Sequence, residues 1–253
     1  MHIILLRGLG REAAHWADFP TKLQTLLART HSDATITAID FPSCGVWFEQ
    51  TACRSIAAMT DHARRESYRV KKSAATQFFV IGLSMGGMVA LDWAHNYPKE
   101  IERVVIINSS LSDHPLYWRL RGWAPAISLL ALILPMRFRE HLMLRLVSNE
   151  GDNALFKSHL SHWLKIQKSR PVKRRNLITM LMCANNFKAP RDCPVRGLVI
   201  ASWSDRLVSV KCSQNIAQRY QWTIAFHPSA GHDLPMDATG WLCQTIAAWL
   251  CDD

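Results

Sequence analysis

The amino-acid sequence predicts an α/β fold, an open and mostly parallel six-stranded sheet flanked by helices. Three observations carry that expectation. Six short apolar runs, at 2–7, 34–40, 77–83, 103–109, 196–203 and 222–228, are continuous rather than alternating, as in strands covered on both faces. Segments of helical period separate most of them, as right-handed crossovers between parallel strands require. The interval 111–190 breaks this alternation, with helical periodicity and prolines of its own.

In chain order, "HIILLR" runs into a glycine-containing turn and reads as a first core strand rather than a signal peptide. A helix over "ADFPTKLQTLLART" leads to the strand "ATITAID", and a second over "SIAAMTDHARRESYR" leads to "QFFVIGL". The segment "MGGMVALDWAHNYP" holds good helix formers and stops at Pro98, before the fourth strand "RVVIINS". Past the long interval come "RGLVIASW", the helix "VKCSQNIAQRY", "WTIAFHP" and a last helix "TGWLCQTIAAWL". The expected organisation is a core in two parts, 1–110 and 191–253, with a helical insertion at 111–190. Ligands bind beyond the carboxyl ends of strands in such sheets, so an insertion emerging there would roof the site as a lid.

Composition narrows the function. At 253 residues and 49% hydrophobic, the chain suits one domain with a substantial core. Its seven cysteines are odd in number and scattered, with no C-x-x-C pair, so neither a zinc site nor a disulfide framework is expected. A reducing, cytoplasmic setting fits better than secretion. The run "WAPAISLLALILPM", from Trp123 to Met136, is too short to span a bilayer. It reads as a lid or buried helix, and no integral membrane segment is expected. Of the formal charge of +10, a net of +9 falls within 111–190, densest in "KIQKSRPVKRR" at 165–175. Such a run is usually a solvated face, and it also attracts acidic partners. With no nucleic-acid motif and no interleaved aromatics, nucleic acid is not an expected partner.

The chemistry starts at Gly82-Leu83-Ser84-Met85-Gly86, between a buried strand and a helix. A turn that tight favours glycine on either side and pushes the serine out over a helix N-terminus, as in the nucleophile elbow G-x-S-x-G. A serine hydroxyl needs a general base, and that base needs a carboxylate to orient it. Asp205 stands just past the fifth strand and His232 in the loop after the sixth, giving the chain order Ser84, Asp205, His232. Asp113, after the fourth strand, is the rival acid. His227 is expected to finish the sixth strand and bind backbone, Asp233 to point away from its neighbour His232, and Asp237 to lie further along the loop. His15, His95 and His162 are expected at the surface or in packing, and Trp118, Trp123 and Trp163 are candidates for an acyl pocket.

With "GLSMGG", "SDRLV" and "AGHD", and "LLRGLGREAAHW" where "LLHGxG" is common, the whole chain resembles the α/β-hydrolase superfamily. It is most similar to small serine carboxylesterases with a helical lid, a group that includes the esterase acting on pimeloyl-carrier-protein methyl ester. The resemblance implies an α/β-hydrolase fold and hydrolysis of a small-molecule carboxylic ester through an acyl-enzyme, with no metal or organic cofactor. It also implies an oxyanion hole built from the backbone N–H groups of Leu9 and Met85. An acidic acyl carrier protein becomes a candidate partner for the basic insertion. Serine at the elbow, rather than aspartate, argues against epoxide hydrolases and haloalkane dehalogenases. The resemblance also implies that the chain starts at the family's third strand. Arg7 departs from the pattern, since histidine usually braces the oxyanion loop there. Arginine can brace by its several donors, or bring a positive charge to the site. An acyl-thioesterase or acyltransferase with the same triad, or a non-catalytic binding protein on this scaffold, stays open.

Overall fold

A computed structural model describes residues 1–70, 77–151 and 153–251. Its sheet has six strands in the order β2-β1-β3-β4-β5-β6. They are β1 (His2–Leu6), β2 (Thr35–Ile39), β3 (Phe78–Leu83), β4 (Ile101–Ile107), β5 (Arg196–Ser202) and β6 (Thr223–His227), and every pairing is parallel. All six match the apolar runs of the sequence to within two residues at each end.

Helices cover both faces. Along β1, Ile4 and Leu6 pack into one core while Ile3 and Leu5 pack into the other, the two-residue period of a strand buried on both sides. The first core is closed by α2 (Ile56–Val70), α3 (Met85–Asn96) and α9 (Val210–Tyr220). The second is closed by α1 (Phe19–Leu27) and α11 (Thr239–Cys251). Helix α1 shows why: Phe19, Leu23 and Leu27 recur every four residues and all three are buried. The short α10 (Leu234–Asp237) joins the last loop to α11.

Between β4 and β5 the described residues form five helices: α4 (Leu116–Arg119), α5 (Ala124–Ile133), α6 (Met136–Val147), α7 (Ala154–Ser169) and α8 (Arg174–Asn186). Leu144, Val147, Phe156 and Trp163 form a small core of their own. The long apolar run was expected to be a lid or buried helix. In the structure α5 buries only Ala124 and Ala131, and an apolar face stays in contact with water. Of the residues beside these two, Trp123, Pro125 and Leu130 are exposed and Leu132 is half-buried.

The order of the strands reverses at β1, whose neighbours are β2 and β3. Ligands favour the crevice beyond the carboxyl ends at such a reversal. Leu6 is paired with Gly82 there, which sets the Gly8–Leu9 turn beside Ser84.

Candidate active site

Ser84 takes φ +56° and ψ −121° at the junction of β3 and α3, a conformation non-glycine residues rarely adopt. Neighbouring contacts hold it there. Its N–H donates to Ile107 O at 2.9 Å, and its carbonyl accepts from Gly87 N at 2.9 Å and Ser109 Oγ at 2.7 Å. The flanking glycines answer to close backbone approach. A Cβ at Gly82 would lie 2.2 Å from Gly86 O, and one at Gly86 would lie 2.1 Å from Leu6 O. Side chains at either position would push α3 off the sheet. Strain of this kind persists only where the surroundings over-determine it, and it marks functional positions.

Ser84 and His232 line one cavity of about 550 Å³. His232 is buried, and its Nδ1 stands 2.7 Å from Asp205 Oδ2. Asp205 is fully committed: its Oδ1 accepts from Leu207 N at 2.7 Å and Val208 N at 2.9 Å. Leu9 and Met85 line the same cavity. Met85 is the first residue of α3, so its N–H has no carbonyl to meet within the helix. A serine that shares a cavity with a histidine whose far nitrogen is held by a buried carboxylate supplies the set of groups a base-activated nucleophile needs.

The competing groups are occupied elsewhere. Asp113 pairs with Arg219 at 2.7 Å on the surface. His227 ends β6, and its Nδ1 accepts from Ser229 N and Ala230 N. Asp233 turns away from His232 toward Arg7. Asp237 holds the loop instead, accepting from Gly231 N at 2.7 Å, Asn149 N and Ser148 Oγ. His95 and His162 sit in exposed contacts with backbone carbonyls, whereas His15 is buried edge-on to Trp163. Of the three tryptophans considered for an acyl pocket, Trp163 lines the cavity, while Trp118 and Trp123 are not in its wall.

Arg7 is buried and makes two hydrogen bonds to Asp233, from Nη1 at 3.1 Å and Nη2 at 2.5 Å. Its guanidinium also lies over the Trp16 ring, 4.9 Å from the centroid. The positive charge that the sequence places next to the site is therefore neutralised within the protein. The pair ties the residue after His232 to the end of β1. Arg11, a second cation of the cavity wall, pairs with Glu140 of α6 at 2.7 Å and stacks on Trp163. Burial alone would raise the Glu140 carboxyl, but Arg11 and Arg139 outweigh it and hold it below the ordinary carboxylate value.

Asn108 was missed by sequence reasoning. At the end of β4, with φ +43°, its side chain donates to His232 O at 2.9 Å and accepts from Ser202 N at 3.0 Å. One carboxamide thus fixes the histidine loop against the ends of β4 and β5. The available signal was a carboxamide directly after an apolar strand, a residue type that tolerates positive φ.

The far wall of the cavity comes from the inserted helices, through Leu116, Arg119, Ser128, Met143, Trp163 and Ile178. Arg119 donates to Ser112 O, Ala184 O and Asn185 Oδ1, all neutral acceptors. No helix among the described residues is long and apolar enough to cross a membrane.

The sequence profile of the alpha/beta hydrolase family matches residues 3–244. Among curated proteins, none matches in sequence. Solved structures are similar in fold at low identity. A thermophilic esterase from Thermogutta terrifontis superposes with a TM-score of 0.72 at 18% identity, over 99% of this chain and 89% of that one. The 2-hydroxy-6-oxo-6-phenylhexa-2,4-dienoate hydrolase of a Rhodococcus strain gives 0.75 at 16%, over 98% and 90%. A bacterial membrane phospholipase A gives 0.76 at 13%, over 98% and 78%.

Proposed function

The chain belongs to the alpha/beta hydrolase family, and from that premise we propose that it hydrolyses carboxylic esters through an acyl-enzyme on Ser84. The observation that carries the reading is the strained Ser84 sharing a cavity with His232, whose Nδ1 is held by Asp205 at 2.7 Å.

In this mechanism Ser84 Oγ attacks the ester carbonyl carbon while His232 Nε2 takes the hydroxyl proton. Asp205 keeps the ring oriented and stabilises the imidazolium. The oxyanion of the tetrahedral intermediate accepts from the N–H groups of Met85 and Leu9. Losing one such donor typically costs about 2.7–4 kcal/mol of transition-state stabilisation. Collapse breaks the bond to the alcohol, which leaves with the proton from His232. Water then repeats the sequence on the acyl-enzyme and releases the acid. The helices within 111–190 serve as the lid, and their apolar side chains in the cavity wall suit the acyl part of the substrate.

A panel of p-nitrophenyl esters of graded chain length, with a fluorophosphonate probe, tests this. Turnover and labelling at Ser84 are expected, both abolished in Ser84→Ala with the fold intact. Full activity in a well-folded Ser84→Ala protein would sink the reading.

A further inference from the structure

Helix α5 carries an apolar stripe that is exposed among the described residues. Pro125, Ala126, Leu129, Leu130 and Ile133 are all exposed, and their spacing places them on one face. Leu129 is 67% exposed and Ile133 68%, and Trp123, just before the helix, is 81% exposed. The helix has ten residues and no charge. It is far too short to span a bilayer, which takes roughly 20 residues. A contiguous apolar surface of this kind marks an interaction site.

Both ends of the stripe are basic. At the Trp123 end lies a groove of about 740 Å³ whose wall includes Arg121 and Arg206 and, among the described residues, no carboxylate. At the other end Arg174 donates to Ile133 O and Leu134 O, bringing the exposed Lys173 and Arg175 with it. Ser128, on the far side of α5, lines the cavity that holds Ser84.

We infer that this face docks on an anionic phospholipid bilayer, with the α5 stripe entering the interface and the flanking arginines and Lys173 meeting lipid phosphates. An apolar helix face edged by basic residues, with tryptophan at the polar boundary, is the pattern of interfacial binding. An acidic protein would match the cations but leave the uncharged stripe without a counterpart. Docking sets the helix that walls the cavity at the membrane surface. Lipid-derived esters then reach the site by a short path, a consequence that rests on the esterase reading, whereas the docking itself does not.

The test is co-flotation of the full chain with vesicles of phosphatidylcholine alone or mixed with phosphatidylglycerol. Binding is expected to the anionic vesicles and to weaken with added salt. The double variant Leu129→Asp/Ile133→Asp loses binding while keeping hydrolysis of a short soluble ester. Charge reversal at Lys173 and Arg175 weakens partitioning by about fivefold or more for each residue changed. Circular dichroism checks that each variant folds. Absence of flotation with anionic vesicles overturns the inference. So does self-association without lipid that the two aspartates dissolve, which assigns the face to a second copy. Capture of an acidic carrier protein that needs the cations but not Leu129 and Ile133, with no vesicle binding, assigns it to that partner. Because flotation needs no turnover, an inactive protein that floats fails only the esterase reading.

Discussion

Asp205 Oδ2 stands 2.7 Å from His232 Nδ1, while the other carboxylate oxygen is bound by two backbone N–H groups. An amide in its place would either set an N–H donor against another donor or hold His232 with its proton on Nε2, where it cannot take one from Ser84. Asp205→Asn is therefore expected to lower kcat on a p-nitrophenyl ester by a factor on the order of 10⁴. Asp113→Asn, whose carboxylate faces Arg219 instead, should stay within a few-fold of the parent. The opposite ranking would move the acid to the end of β4.

The glycines of the elbow make a second contrast. Gly86→Ala sets a methyl 2.1 Å from Leu6 O, backbone that cannot yield without parting α3 from β1. Gly240→Ala in α11 meets nothing within 4 Å. In urea unfolding the first should lose stability heavily or fail to fold. The second should gain by about 0.4–1 kcal/mol. Similar midpoints for the two would contradict the packing described at the elbow.

A third prediction concerns pH. Glu140 is held below its ordinary carboxylate value by Arg11 and Arg139 in spite of burial. A depressed carboxyl stabilises the fold above the value it has in the unfolded chain, and this is lost as pH falls through its folded value. Burial, with Arg11 and Arg7 nearby, holds His15 well below its ordinary value. The unfolded chain therefore takes up that proton first, and stability falls further below about pH 6.5. Glu140→Ala, which strands Arg11, should cost about 3–5 kcal/mol at neutral pH. It should also flatten the acid limb of the stability curve below about pH 4.5. An unchanged acid limb would remove Glu140 from the account.

How far the sequence foretold this is best seen residue by residue. The six strands were legible because burial on both faces writes itself as uninterrupted apolar runs, and Ser84 because its glycines answer to backbone clearance. The places of Asp205 and His232 past the ends of β5 and β6 were legible by position. Asn108 was not, because its role depends on two loops that meet only in three dimensions. Nor was the exposure of α5, since an apolar run looks alike whether a neighbour covers it or not. Arg7 could be noticed as a departure, but its partner Asp233 lies 226 residues away.

That pair supplies the fourth prediction. With both side chains shut off from solvent, removing one partner leaves a bare charge. Arg7→Met or Asp233→Leu alone should cost about 3–5 kcal/mol, whereas the double variant, with no charge left to bury, should recover most of it. Additive losses in the double-mutant cycle would show that the two do not act as a pair.

Heredity then treats positions 7 and 233 as a single character. A lineage that carries arginine at the first position cannot drift to a neutral residue there unless the second changes with it, and either change alone passes through a weakened protein. Descendants of this chain should accordingly keep both charges or neither, and a laboratory-evolved population that discards one should rapidly acquire the compensating loss of the other.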